Sequence, residues 1–155
     1  MIRQAVLDDL EQLALLNDQV HALHLEMFPG EFRQPSRAEL KNWFRSCIND
    51  ENTRLFVFHR KEEIRGYLIL IFRTVPENPF KPARQYAYLD QICVNSANRR
   101  QGIARELMNA AVEAAGQKGI TTIMLDVWSE NTVAKQTFER LGFKTVLEMM
   151  EYKSR

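Results

Sequence analysis

Residues 86–108 read YAYLDQICVNSANRRQGIARELM: an apolar, strand-like run, a polar turn carrying two adjacent arginines and a glycine, then the opening of an amphipathic helix. A helix N-terminus has unpaired N–H groups and a partial positive charge, so arginines there oppose the helix dipole unless an anion is expected. Gly102 lets the backbone turn tightly, Ala104 keeps the surface low, and successive N–H groups at the helix start can converge on phosphate oxygens. Arg99, Arg100 and Arg105 add charge around that point. Taken alone, the same residues also describe a solvated basic turn at the head of a surface helix.

On either side of this unit the chain alternates strands and helices. Residues 2–6 alternate as a strand, and Asp8 or Asp9 is expected to N-cap a helix ending near Leu25, with Leu10, Leu13, Leu16, Val20 and Leu23 as its apolar stripe. EMFPGEFRQP, with two prolines and a glycine, is a loop. Ser36 and Glu39 then spell a capping box before a second helix. Residues 54–59 and 64–72 form a hairpin around RKEE, and VPENPFKP closes it. After the helix that Gly119 ends come a strand at 123–128, a helix at 132–141 with Gly142 beyond it, and a last strand at 144–152. The order is that of an α/β protein of the α+β type, with hairpins joined to a β-α-β crossover around one mixed sheet of six or seven strands and about four helices.

Composition bounds the function. With 155 residues the chain reads as a single domain, 1–155, large enough to need no staple. Lys and Arg outnumber Asp and Glu by 21 to 20, which argues against broad nucleic-acid binding and confines any basic site to a small patch. Cys47 and Cys93 are far apart, so neither a disulfide framework nor a cysteine metal site is indicated. His21 and His24 lack a third ligand nearby. No apolar run approaches the ~20 residues of a membrane span, and the N-terminus has no leader pattern, so a cytoplasmic location is expected.

Arg99, Gly102 and Ala104 match R/Q-x-x-G-x-G/A, and with the strand LDVW, Asn131, Ala134, Phe138 and LGF at 141–143 in order, the chain resembles the GNAT superfamily of acetyl-CoA-dependent N-acetyltransferases. The resemblance is strongest over 86–143. It implies a GNAT-like domain splayed between its fourth and fifth strands, with acetyl-CoA as co-substrate in the splay and no metal. It further implies that Ile92, Cys93 and Val94 pair with the pantetheine arm. The N–H groups of Arg100, Gln101, Gly102, Ile103, Ala104 and Arg105 would hold the pyrophosphate, and Asn131 would touch the pantetheine. Asn131 also reads as the N-cap of the helix after it.

Acetyl transfer to an amine requires loss of a proton from the ammonium form. Asp90 and, second to it, Asp126 are the candidate bases, because apolar neighbours raise a carboxylate pKa toward a useful range. By strand alternation Asp90 shares a face with Tyr88, Ile92 and Val94. Either acid also reads as a structural partner of an arginine. Phe138 stands where relatives often carry a tyrosine thought to protonate the departing thiolate, and phenylalanine has no proton to give. Two readings follow: transfer to a primary amine of a small molecule or peptide by direct attack in a ternary complex, or an acyl-CoA-binding module with weak or lost turnover. The resemblance places the acceptor wall in residues 24–35, so His24, Glu26, Phe28 and Phe32, with Tyr88 and Trp128, are the expected acceptor contacts. A homodimer follows by analogy only.

Overall fold

A computed structural model describes residues 1–155. The chain divides into two compact units, Met1–Leu125 and Asp126–Arg155.

The first unit carries strands β1 (Ile2–Gln4), β2 (Thr53–Arg60), β3 (Glu63–Val75), β4 (Arg84–Val94) and β5 (Ile123–Met124), with helices α1 (Leu10–Met27), α2 (Arg37–Asn49) and α3 (Ile103–Gln117). The strands lie in sequence order in one sheet. β1 to β4 pair antiparallel, and β5 joins β4 in parallel, as the β-α-β crossover requires. The mixed sheet thus has five strands rather than six or seven, because residues 144–152 form no ladder and the strand expected at 123–128 stops at Met124. A run of strand-forming residues becomes a strand only where another backbone meets its N–H and C=O groups.

Local chemistry accounts for most element ends. Ser36 Oγ accepts from Glu39 N at 3.1 Å while Glu39 Oε2 accepts from Ser36 N at 2.8 Å, the reciprocal capping box expected for α2. α1 begins differently from expectation. A 3-10 turn at Leu7–Asp9 precedes it, and the Asp9 carboxylate reaches back to Val6 N at 2.8 Å instead of capping α1. Arg3 grips the same carboxylate with two hydrogen bonds, at 2.6 and 2.9 Å. Burial alone would raise the Asp9 pKa, and the Arg3 and Val6 donors outweigh it, so the group sits below its usual value.

One face of the sheet packs on α1 and α2, where Leu13, Leu16, Phe44, Val57, Tyr67 and Ile69 belong to a single buried cluster. The other face carries α3. Gly66 on β3 makes that approach possible, since a Cβ there would lie 2.9 Å from Cys93 O, 3.0 Å from Ile103 Cγ2 and 3.3 Å from Leu107 Cδ1.

The second unit contains α4 (Thr132–Arg140), ended by Gly142 at φ 102. No helix of the protein is long and apolar enough to cross a membrane.

Candidate active site

The turn between β4 and α3 is built by local bonds to the backbone and side chain of Asn95. Asn95 N donates to Arg65 O at 2.8 Å, and Asn95 Oδ1 accepts from Ala97 N at 3.0 Å, opening a 3-10 turn at Ser96–Asn98. Arg99 is extended, Arg100 is left-handed at φ 61, and Gly102 is left-handed at φ 81. A non-glycine residue in that region costs about 1 kcal/mol or more, and such strain tends to sit where function needs it. Left-handed residues beside extended or helical ones curl successive N–H groups into a concavity suited to an anion. Gly102, the N-cap, has no side chain to fill it, and the first intrahelical bond of α3 runs from Glu106 N to Gly102 O at 3.0 Å. The N–H groups of Ile103, Ala104 and Arg105 therefore precede the i→i−4 ladder and face outward along the helix axis.

Just upstream, β4 carries a bulge. Ile69 pairs with Gln91 and Leu70 with Leu89, leaving Asp90 as the extra residue. The bulge exchanges faces: Tyr88, Gln91 and Cys93 pair with Ile71, Ile69 and Tyr67 on the α1–α2 side, whereas Ile92 and Val94 pair with Leu68 and Gly66 on the α3 side. Strand alternation alone put Asp90 with Ile92 and Val94, and the bulge overturns that placement. On the other edge of β4, the ladder with β5 consists of Ala87–Ile123 and Tyr88–Met124, and no ladder continues along Leu89–Val94. β5 ends at Met124, so the edge of β4 along Leu89–Val94 meets no neighbouring strand on that side.

Asp90 is an exposed residue whose carboxylate is nonetheless hemmed in enough that desolvation raises its pKa, with the Arg73 guanidinium opposing. Arg73 lies 3.8 Å over the Tyr88 ring, so its charge is shared with an aromatic face. Burial, aided by the charge of Asp90, pushes the Cys47 thiol up to about 11, and burial pushes Cys93 up to about 12 against the influence of Arg99. Cys93, 2% exposed, points its Sγ toward Leu16 O at 3.5 Å. Both cysteines are protonated core thiols, poor nucleophiles near neutral pH.

Beside the bulge lies a network with no signal in the sequence pattern. Tyr67 OH donates to Gln91 Oε1 at 2.8 Å and accepts from Asn17 Nδ2 at 2.8 Å, and Asn17 Nδ2 also reaches Gln91 Oε1 at 3.2 Å. Tyr67 is fully buried and desolvation raises its pKa strongly, so it acts as a neutral hydrogen-bonding group. The network ties α1 to β3 and β4 next to Asp90.

At the α1–α2 connection, His24 stacks on Phe32 (5.1 Å, 21°), Phe28 lies 6.2 Å from Phe32, and His21 meets Phe32 edge-on at 5.9 Å. His21 Nε2–H donates to Arg33 O at 2.6 Å. Desolvation, then His21, lowers the His24 pKa, which keeps that ring neutral. Glu26 is exposed. The structure thus gathers three of the expected acceptor contacts, His24, Phe28 and Phe32, into one aromatic group, which their spacing in the loop did not require.

In the second unit, Asn131 Oδ1 caps α4 by accepting from Ala134 N at 3.2 Å. Phe138 meets Phe143 edge-on at 5.8 Å, Asp126 is exposed, and Trp128 is 43% exposed.

The profile of the acetyltransferase (GNAT) family matches residues 17–143. A chloroplastic GCN5-related N-acetyltransferase 6 of Arabidopsis thaliana is 36% identical over 64 residues, covering 41% of this chain and 22% of that protein. The curated relatives are matched over less than half of their own length. A solved variant of the BH1408 protein of Bacillus halodurans superposes with a TM-score of 0.94 at 27% identity, covering 100% of this chain and 99% of that one. An aminoglycoside N-acetyltransferase, AAC(6')-Iy, solved with CoA, superposes at 0.79 and 20% identity over 100% and 94%, a likeness of fold alone.

Proposed function

The chain belongs to the acetyltransferase (GNAT) family, and from that premise we propose that it transfers an acetyl group from acetyl-CoA to a primary amine of a small molecule or peptide by direct attack. The observation that carries this reading is the concavity at Arg100–Gly102, opening onto the free N–H groups of α3 just beyond the end of β4. Backbone donors with no side chain in the way suit a pyrophosphate.

In this reading the N–H groups from Arg100 to Arg105 bind the pyrophosphate, and the free edge of β4 at Ile92–Val94 pairs with the pantetheine as an added strand. Asp90 takes a proton from the ammonium. The free amine attacks the thioester carbonyl, a backbone N–H near the bulge polarises that carbonyl, and the C–S bond breaks to release CoA thiolate. A thiolate with a pKa near 8.5 leaves readily and takes its proton from water, so Phe138 need not supply one. The aromatic group of His24, Phe28 and Phe32 favours an acceptor with an apolar or aromatic frame, and exposed Glu26 favours a cationic end. The N-acetyltransferase names of the relatives support the reaction class.

The test pairs titration calorimetry of acetyl-CoA with CoA-thiol release over a panel of amines. Binding in the micromolar range with thiol release above the hydrolytic background is the expected result. Heat without release would leave only the binding-module reading, which Phe138 favours, and absence of heat would sink both.

A further inference from the structure

We infer that Gln91, held by Tyr67 and Asn17, is a positioning residue: its hydrogen bonds fix the bulge of β4 at Asp90 and keep that carboxylate outside the ladder. The inference deepens the transfer reading and rests on it for the role of Asp90. Leu89 and Gln91 stand two apart, so an even strand would put them on one face. Leu89, 3% exposed, instead pairs with Leu70, while Gln91 pairs with Ile69 on the opposite face. One residue must be left over between them, and the structure leaves Asp90. The bulge has one close alternative. With Asp90 opposite Ile69 and Gln91 left over, every other pair of the β3–β4 ladder is unchanged. The two arrangements differ in which side chain enters the slot beside Tyr67 and Asn17.

That slot is polar although its surroundings are not. Tyr67 belongs to the buried cluster with Leu13, Phe44 and Ile69, and Asn17 is also buried. Gln91 Oε1 accepts from Tyr67 OH at 2.8 Å and from Asn17 Nδ2 at 3.2 Å, and Asn17 Nδ2 also donates to Tyr67 OH at 2.8 Å, a closed triangle running from α1 across β3 to β4. Apolar side chains of the same size would fill the slot without desolvating any polar group, so packing alone does not call for these residues. A satisfied buried network of this kind selects one arrangement over its near alternatives. Gln91 meets both donors and stays uncharged. Asp90 in its place, one methylene shorter, would bring a carboxylate where desolvation disfavours charge. Each of the two bonds to Gln91 weights the observed register by about two- to tenfold.

The test uses the full chain. Gln91→Met removes both bonds at nearly constant volume, and Tyr67→Phe removes one while the Asn17–Gln91 bond remains. Gln12→Met is the control. Gln12 makes two bonds of its own from α1, Nε2 to Glu62 O at 3.0 Å and Oε1 from Ile64 N at 2.8 Å, so its loss destabilises the chain without touching the bulge. In Gln91→Met, kcat is expected to fall by about tenfold or more while the acetyl-CoA Kd changes by less than about twofold. The NMR signal of the Asp90 carboxyl carbon, assigned with Asp90→Asn, is expected to be displaced. Tyr67→Phe should move kcat and the signal in the same direction by less, and Gln12→Met should move neither. An Asp90 signal at its native position in both Gln91→Met and Tyr67→Phe overturns the inference, as does an equal displacement in Gln12→Met. A displaced signal with native kcat upholds the hold on the register and removes Asp90 from the chemistry, so failure of the transfer reading is told apart.

Discussion

Replacing Gly66 by alanine tests whether the approach of α3 to the sheet sets the anion site. The new Cβ would stand 2.9 Å from the Cys93 carbonyl oxygen and 3.0 Å from Ile103 Cγ2. Neither neighbour is the end of a flexible chain: Cys93 O belongs to the backbone of β4, and Ile103 is the first residue of α3. The clash is relieved only if β3 and β4 distort locally around Cys93 and α3 retreats by some tenths of an ångström, carrying the N–H groups of Ile103, Ala104 and Arg105 with it. Overpacking of this kind costs about 1–3 kcal/mol, offset by about 0.5–1 kcal/mol for removing a glycine from a strand. The net expectation is a loss of about 1–2 kcal/mol, or roughly 2–8 °C in Tm at this chain length. Acetyl-CoA affinity should fall by about tenfold, about 1.4 kcal/mol. Gly116→Ala is the control, since a Cβ there meets nothing within 4 Å inside the same helix and should stabilise by up to about 1 kcal/mol. Urea unfolding and calorimetric titration of both variants decide the matter. If Gly66→Ala matches the native protein in both measurements, the claim that close packing positions the cradle is wrong.

Asp90→Asn should lower kcat by about 10²–10⁴ on an acetylated amine while acetyl-CoA binding is kept. Because the folded pKa of Asp90 is raised, its charged form is the less stable one: stability falls as pH rises through that pKa, so the variant should resist urea at least as well as the native chain at neutral pH, and loss of activity with loss of stability would refute the assignment. Tyr67→Phe removes one of the two bonds of the Asn17 amide and one of the two that Gln91 Oε1 accepts, while the Asn17–Gln91 bond remains, and should cost about 0.5–1.5 kcal/mol per lost bond in urea unfolding. Asp9 has a lowered folded pKa, so its contribution is present above the unfolded value near pH 4 and is lost as pH falls through the folded one. Asp9→Asn should therefore cost about 1–2 kcal/mol at pH 7, the lower part of the range for charged hydrogen bonds because Arg3 is 38% exposed, and the difference from the native chain should shrink in acid.

Much of the frame was legible residue by residue. Ser36 and Glu39 announced the start of α2, Gly119 and Gly142 the ends of α3 and α4, and the alternation at 54–72 the hairpin of β2 and β3. The run from Arg99 to Arg105 announced a turn able to face an anion. The bulge at Asp90 had no such sign. Its sequence alternates as an ordinary strand does, and counting by twos placed Ile92 and Val94 on the wrong face.

The amino-acid sequence by itself determined where most helices start and stop, where the β2–β3 hairpin lies, and that a turn able to face an anion follows the fourth strand, because capping, glycine geometry and side-chain periodicity act within a few residues of one another. Only the tertiary structure decided that Asp90 is squeezed out of register, that Asn17, Tyr67 and Gln91 bond together across separations of up to 74 residues, and that Val146 to Tyr152 stay bare. Those outcomes depend on which backbone lies alongside and how much water is displaced, and both are properties of partners distant in the chain.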